Sequence, residues 1–217
     1  MLGLYNYIAN SKAVQSIIRS GLQLFYKADR TQAPLGEEQV LNNSFDELGA
    51  ELVSNADFTT DSFWTKESSN ITILGGKAVF NTSSDNTGIF RNNITTDGKT
   101  YKAQLEITDY TSGAVQFNYN GVYIGSFNTV GTHTAYFVAG GNNGFAIQSD
   151  VAADLSLGSA SLKQVDPNDR WTLGTGWSVA NGKARNDGTV GNFNLTQGSL
   201  LVVGKSYQIT IEVSDFV

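Results

Sequence analysis

The chain has 217 residues, 23 glycines, no cysteine and a formal net charge of −6. Without cysteine there is no disulfide framework and no thiolate zinc site, and an acidic chain with no basic stripe argues against a nucleic-acid partner. Sparse charge, abundant glycine, and Asn, Thr and Ser crowded between short apolar runs predict an all-β protein rich in turns and stabilised by packing.

Residues 1–8 (MLGLYNYI) lack the basic start of a secretory signal. No apolar run approaches the roughly 20 residues that a membrane span needs, so synthesis in the cytoplasm and no membrane partner are expected. Residues 1–50 differ in character from the rest. Ser11 is placed to cap a short helix, Val14, Ile17, Ile18 and Leu22 follow at helical spacing, and Gly21 stands where a helix would stop. A brief strand is predicted over Leu22–Tyr26, including Leu24 and Phe25. Lys27 to Asn43, with Pro34 and Gly36, read as an extended linker. So few apolar residues cannot close a core of their own. Two expectations stand side by side: a disordered leader, or an anchor that orders on a partner through Val14, Ile17, Ile18, Leu22, Leu24, Phe25 and Tyr26.

Residues 51–165 are dense in strand signals. Tyr101, Ala103, Leu105 and Ile107 alternate with Lys102, Gln104, Glu106 and Thr108, the period of a half-buried strand. Ile71–Leu74 and Lys77–Asn81 flank Gly75-Gly76 and predict a hairpin. Further strands are predicted over Thr87–Asn92, Ala114–Tyr119, Val122–Phe127, His133–Ala139, Gly144–Gln148 and Ala160–Val165. Two packed sheets of the jelly-roll kind close such a set.

Residues 166–217 repeat the first part of this domain at an offset of 106 residues, without a gap from Ile71 to Tyr110. Gly76-Lys77-Ala78 recurs as Gly182-Lys183-Ala184, Tyr101 as Tyr207 and Glu106 as Glu212. The hairpin dipeptide becomes Asn181-Gly182, the strongest short hairpin signal, because a type I′ turn needs positive φ at both central residues. The copied strand predicts Tyr207, Ile209, Ile211 and Val213 pointing inward. The repeat ends at Val217 about half a domain in, which predicts either a longer chain with further strands or completion by a neighbouring chain. The expected organisation is thus an anchor and linker (1–50), a jelly-roll sandwich (51–165) and an incomplete second copy (166–217).

The run Asn55-Ala56-Asp57-Phe58, a short spacer, Phe63-Trp64, Gly75-Gly76-Lys77-Ala78, Gly98-Lys99-Thr100-Tyr101 and a strand ending in Asp109-Tyr110 resembles the jelly-roll modules of bacteriophage virion proteins. Those modules are in turn similar to carbohydrate-binding modules of glycan-degrading enzymes. Tyr26-Lys27-Ala28-Asp29 and Ala33-Pro34-Leu35-Gly36-Glu37-Glu38 resemble the head of phage structural proteins that carry such modules. The resemblance implies a non-enzymatic virion protein, a head or tail fibre or decoration protein. It would dock on other virion proteins through residues 1–50 and form a homo-oligomer, with a trimer usual for such appendages. The alternative it implies is a glycan-binding module, acting as an adhesin or as an accessory domain of a carbohydrate-active enzyme, with cell-surface glycans as partners. Modules of this type often place an Asp in the last strand to help hold a structural calcium ion. Gly158 stands at that place here, so neither metal nor cofactor is expected and Asp57 is expected to serve only a turn.

No catalytic constellation is apparent. His133 is the only histidine, in a strand-like run, and the carboxylates fall mainly in turns or on outward strand positions rather than as a facing pair. The plausible binding chemistry is aromatic stacking on sugar faces, with amide side chains taking the hydroxyls. Asn118, Tyr119, Asn120, Tyr123 and Phe127 form the densest such cluster; the competing expectation is that Phe117, Tyr119 and Tyr123 fill the core or brace a sheet face. Trp64 and Trp171, near the start of each repeat, are expected to be structural plugs.

Overall fold

A computed structural model describes residues 35–141, 144–189 and 194–214. The predicted helix and strand carrying Val14, Ile17, Ile18, Leu22, Leu24, Phe25 and Tyr26 lie outside the described residues. The chain divides into two units, one of residues 40–198 and one made of residues 1–39 and 199–217. Every regular element among the described residues is a β-strand.

Within residues 40–198 the first nine strands form a jelly-roll sandwich. They are β1 (Leu48–Glu51), β2 (Thr65–Lys66), β3 (Ile71–Leu74), β4 (Lys77–Ser83), β5 (Gly88–Arg91), β6 (Thr100–Tyr119), β7 (Val122–Phe127), β8 (Gly131–Val138) and β9 (Phe145–Val165). The two long antiparallel strands β6 and β9 run through both layers. The first half of β6 pairs with β8 and with the second half of β9, which also pairs with β4 and β1. The second half of β6 pairs with β7 and with the first half of β9, which pairs with β5, and β5 with β2.

The sequence divided each long strand in two, at residues 111–113 and 149–159. Both divisions are corrected by register shifts that bend the ladder without ending it. Gly113 makes the bend possible: its φ is 78°, and a Cβ there would lie 2.1 Å from the Ala152 carbonyl oxygen on β9. Only glycine fits so close a backbone approach.

The core lies between the layers. Tyr101, Ala103, Leu105 and Ile107 point into it from one layer, and Val115, Phe117 and Tyr119 from the other, all almost fully buried. Phe137 of β8 joins the layers, stacking on Tyr119 at 5.0 Å and on Phe145 at 6.4 Å between centroids. Each large side chain so buried contributes about 1.5–3 kcal/mol from removal of apolar surface. Trp64 is a plug, as expected: it is buried, packs on Phe58 at 5.8 Å, and its Nε1 donates to the Asn55 carbonyl at 3.1 Å.

The second copy reproduces the first with matching registers. β10 (Thr172–Leu173) pairs with β13 (Leu195–Thr196) as β2 pairs with β5, and β11 (Trp177–Ala180) pairs with β12 (Lys183–Asn186) as β3 pairs with β4. Both hairpin turns have positive φ at their two central residues, 64° and 76° at Gly75-Gly76 and 53° and 68° at Asn181-Gly182. Residues 40–47, in part assigned to the linker from sequence, are built into this unit. The Gln197 side chain receives a hydrogen bond from Leu41 N at 2.7 Å and returns one to Leu41 O at 2.9 Å.

In the other unit, residues 202–207 form the same turn as residues 96–101. Val202 N donates to the Tyr207 hydroxyl at 2.8 Å, as Thr96 N does to the Tyr101 hydroxyl at 2.8 Å. The strand predicted after it is corrected. Residues 208–214 form no ladder, and Tyr207, Ile209, Ile211 and Val213 are 37–66% exposed rather than inward-facing. A strand is stabilised by its neighbours, and here no ladder partner like β8 or β9 accompanies it among the described residues.

Candidate functional site

Direct cross-strand partners share a sheet face. In the layer β7–β6–β9–β5–β2 the pairs Tyr123–Asn118, Asn118–Ala146, Ala146–Phe90 and Phe90–Thr65 therefore form one row across five strands. The neighbouring residues Phe117, Ile147 and Ile89 are buried in the core, so this row lies on the opposite, outer face. A shallow cavity of about 220 Å³ opens over it, lined by Glu67, Phe90, Asn92, Asn118, Asn120 and Gly121 among others.

Hydrogen bonds fix the polar groups of this face. Asn118 Nδ2 donates to Gln148 Oε1 at 2.5 Å, and Gln148 Nε2 donates to Glu67 Oε2 at 3.1 Å. Glu67 Oε2 also accepts from Gly88 N at 2.8 Å, which ties the loop after β2 to the start of β5. Asn118 Oδ1 accepts from Gly121 N at 2.9 Å, closing the turn in which Asn120 adopts φ of 49°. Asn120 Nδ2 in turn donates to the Gly140 carbonyl at 3.1 Å. The result is a preorganised strip of amide and carboxylate groups with no Lys or Arg among the residues lining the cavity.

The structure splits the five residues expected to bind glycan. Asn118 and Tyr123 are on the outer row, with Tyr123 50% exposed, and Asn120 lines the cavity at the turn. Tyr119 and Phe127 are corrected to the core side. The Tyr119 ring is buried against Phe137, with its hydroxyl accepting from Gly140 N, and Phe127 packs edge-on against Phe117 at 5.3 Å. A ring packed in the core has no free face to offer a ligand. For Tyr119 the reason is the period of a strand, in which residues adjacent in sequence point to opposite faces. For Phe127 it is the register shift between Val115 and Phe117, which breaks the alternation that would otherwise set it on the face of Tyr123. Glu67, Phe90 and Gln148 were not singled out from the sequence. A signal for Gln148 was present, since a glutamine alternating with the buried Ile147 marks a polar outer face.

His133 is a strand residue of β8, stacked on Phe127 at 4.9 Å with Nε2 2.7 Å from the Thr129 carbonyl. Asp57 closes its own turn, accepting from the Thr59 hydroxyl at 3.1 Å. A Cβ at Gly158 would lie 2.6 Å from Thr108 Cγ2, so a larger residue there requires the Thr108 side chain to shift. Among the described residues, no group of three or more His, Cys, Asp or Glu is arranged to hold a metal ion.

No family model and no curated protein matches the chain. Solved structures do. The chain is similar to the CBM22-1 and GH10 modules of Clostridium thermocellum xylanase 10B complexed with xylohexaose, at 15% identity and a TM-score of 0.42, over 52% of this chain and 28% of that one. It is similar to the CBM22-1 xylan-binding domain of Paenibacillus barcinonensis Xyn10C, at 12% identity and a TM-score of 0.38, over 54% and 96%. A third likeness is to CBM35 from Paenibacillus barcinonensis, at 16% identity and a TM-score of 0.34, over 52% and 95%. Each of these three structures is named for a carbohydrate-binding module, joined in the first to a GH10 module.

Proposed function

We propose that the chain is a non-enzymatic glycan-binding protein whose ligand lies across the outer face of the β7–β6–β9–β5–β2 layer. The observation that carries this reading is the row Tyr123–Asn118–Ala146–Phe90, which sets two aromatic rings on either side of a hydrogen-bonded amide strip. Sugar rings stack their apolar faces on aromatics, and carboxamides both donate to and accept from hydroxyls. Tyr123 and Phe90 are three strand positions apart, roughly 14 Å at the ordinary strand spacing of about 4.8 Å. One sugar ring cannot reach both, so the site suits an oligosaccharide. With no cation among the cavity-lining residues and Glu67 present, a neutral glycan is favoured over an acidic one.

A glycan array followed by calorimetry tests this. Tyr123→Ala should lower affinity about tenfold or more, the scale of one lost stacking contact. Tyr110→Ala, at a residue 40% exposed beyond the bend of β6, should not. Undiminished binding by Tyr123→Ala would place the ligand elsewhere.

A second reading is favoured by the serial repeat of two modules with matching registers. In it the modules project in series from a bacteriophage particle, as fibre or decoration, and residues 1–50 dock on other virion proteins. Deleting residues 1–40 should then abolish incorporation into particles.

A further inference from the structure

The Trp171 plug of the second copy is completed by a segment from the other end of the first jelly roll. Trp171 Nε1 donates to the Asn42 carbonyl at 3.0 Å and its ring packs on Phe45 at 5.0 Å. In the first copy Trp64 does the same to Asn55 and Phe58, at 3.1 Å and 5.8 Å. The two loops have one design. Asn42 and Asn55 have φ of 50° and 56°, and Phe45 and Phe58 have φ of 55° and 54°. Phe45 N donates to Asn42 O and Phe58 N to Asn55 O, at 3.1 and 3.3 Å. Each asparagine Oδ1 accepts from the amide five residues on, Glu47 at 3.0 Å and Thr60 at 3.2 Å. A phenylalanine with positive φ is uncommon, so its recurrence three residues after an asparagine with positive φ marks one motif used twice.

The partners differ in how far apart they lie in the chain. Asn55 precedes Trp64 by nine residues, whereas Asn42 precedes Trp171 by 129. Other contacts fasten the long-range loop. Asn42 Nδ2 donates to Asp166 Oδ1 at 3.0 Å, Asp166 N donates to the Glu47 carbonyl at 2.9 Å, and Asn168 Nδ2 donates to Glu47 Oε1 at 2.5 Å.

We infer that Asp166, Asn168 and Trp171 carry a docking surface for an Asn-x-x-Phe loop, and that residues 42–45 fill it from within the chain. The first jelly roll is thereby an insertion between two parts of the second module. This arrangement goes beyond the glycan reading and is independent of it. It makes the junction between modules a closed clasp, entered and left by two chain segments, in place of a single tether.

Hydrogen exchange on the full chain tests the inference. Phe45→Ala should make the amides of β11 and β12 exchange about tenfold faster, by local opening, while the core amides of β6 and β9 keep their protection. Asn42→Gly, which keeps the backbone conformation and carbonyl but removes both side-chain bonds, should act in the same direction more weakly. Unchanged protection of β11 and β12 in Phe45→Ala overturns the inference. Equal loosening of β6 and β9 with β11 and β12 in both variants overturns it too, because the loop would then serve the whole unit instead of the second module.

Discussion

Tyr101 and Tyr207 head two copies of one strand and close the same turn through the same hydroxyl contact. Beyond that turn the copies part. Ala103, Leu105 and Ile107 are at most 1% exposed, whereas Ile209, Ile211 and Val213 are 54–66% exposed. The alternation is equally good in both, so period alone does not make a strand. In the first copy β8 and β9 flank β6 on either side and satisfy its backbone; the second has no such ladder among the described residues. Turns and hairpins close with contacts inside a few residues, while a central strand waits for partners distant in sequence.

The largest effect expected from this contrast is at Leu105 and its counterpart Ile211. Leu105→Ala should destabilise the jelly roll by about 2–5 kcal/mol, the cost of a buried large-to-small change. Ile211→Ala should stay within about 0.5 kcal/mol, as for exposed sites. Urea unfolding followed by Trp fluorescence reads both, and an equal cost at the two positions would break the comparison.

The hairpins, where the copies agree, predict a smaller and opposite effect. Gly75→Asn transplants the turn of the second copy into the first at a φ of 64° that asparagine tolerates. It should stabilise by about 0.4–1 kcal/mol through lower entropy of the unfolded chain. A loss of stability would mean that the two turns are not equivalent.

The smallest effect concerns Asp109, whose carboxyl is held below its ordinary value of 3.8 by the hydrogen bond from Lys77 and then by that from Thr108. Lys77 Nζ lies 2.6 Å from Asp109 Oδ2 and links β4 to β6 in the first copy. Because the folded-state value is depressed, the stabilisation is present above the ordinary carboxylate range and is lost as pH falls through the folded value. Lys77→Met should bring the Asp109 titration, followed by NMR, back toward 3.8; no movement would remove Lys77 as the cause.

The hairpin at Gly75-Gly76, its copy at Asn181-Gly182, the inward faces of residues 101–107 and the Trp64 plug were all legible in the sequence, since each rests on local period or turn chemistry. The outer face was half legible. Asn118, Asn120 and Tyr123 were found by composition, but Tyr119 and Phe127 were grouped with them because a cluster in sequence ignores which side of a pleat each residue takes. Phe90 and Glu67 come from strands and loops 28 and 51 residues before Asn118, and they join it only through the pairing of β5 with β9 and β9 with β6. The Asn-x-x-Phe loop at 42–45 stood in plain view as an echo of 55–58, yet nothing in the chain order says that its tryptophan follows 129 residues later.

By itself the sequence determined the all-β composition, the repeat and its hairpins, because those depend on residues a few positions apart. Only the tertiary structure decided which aromatics face solvent, which copied strand forms a ladder and which loop seats Trp171. Those outcomes depend on backbone partners and close packing brought together from distant parts of the chain.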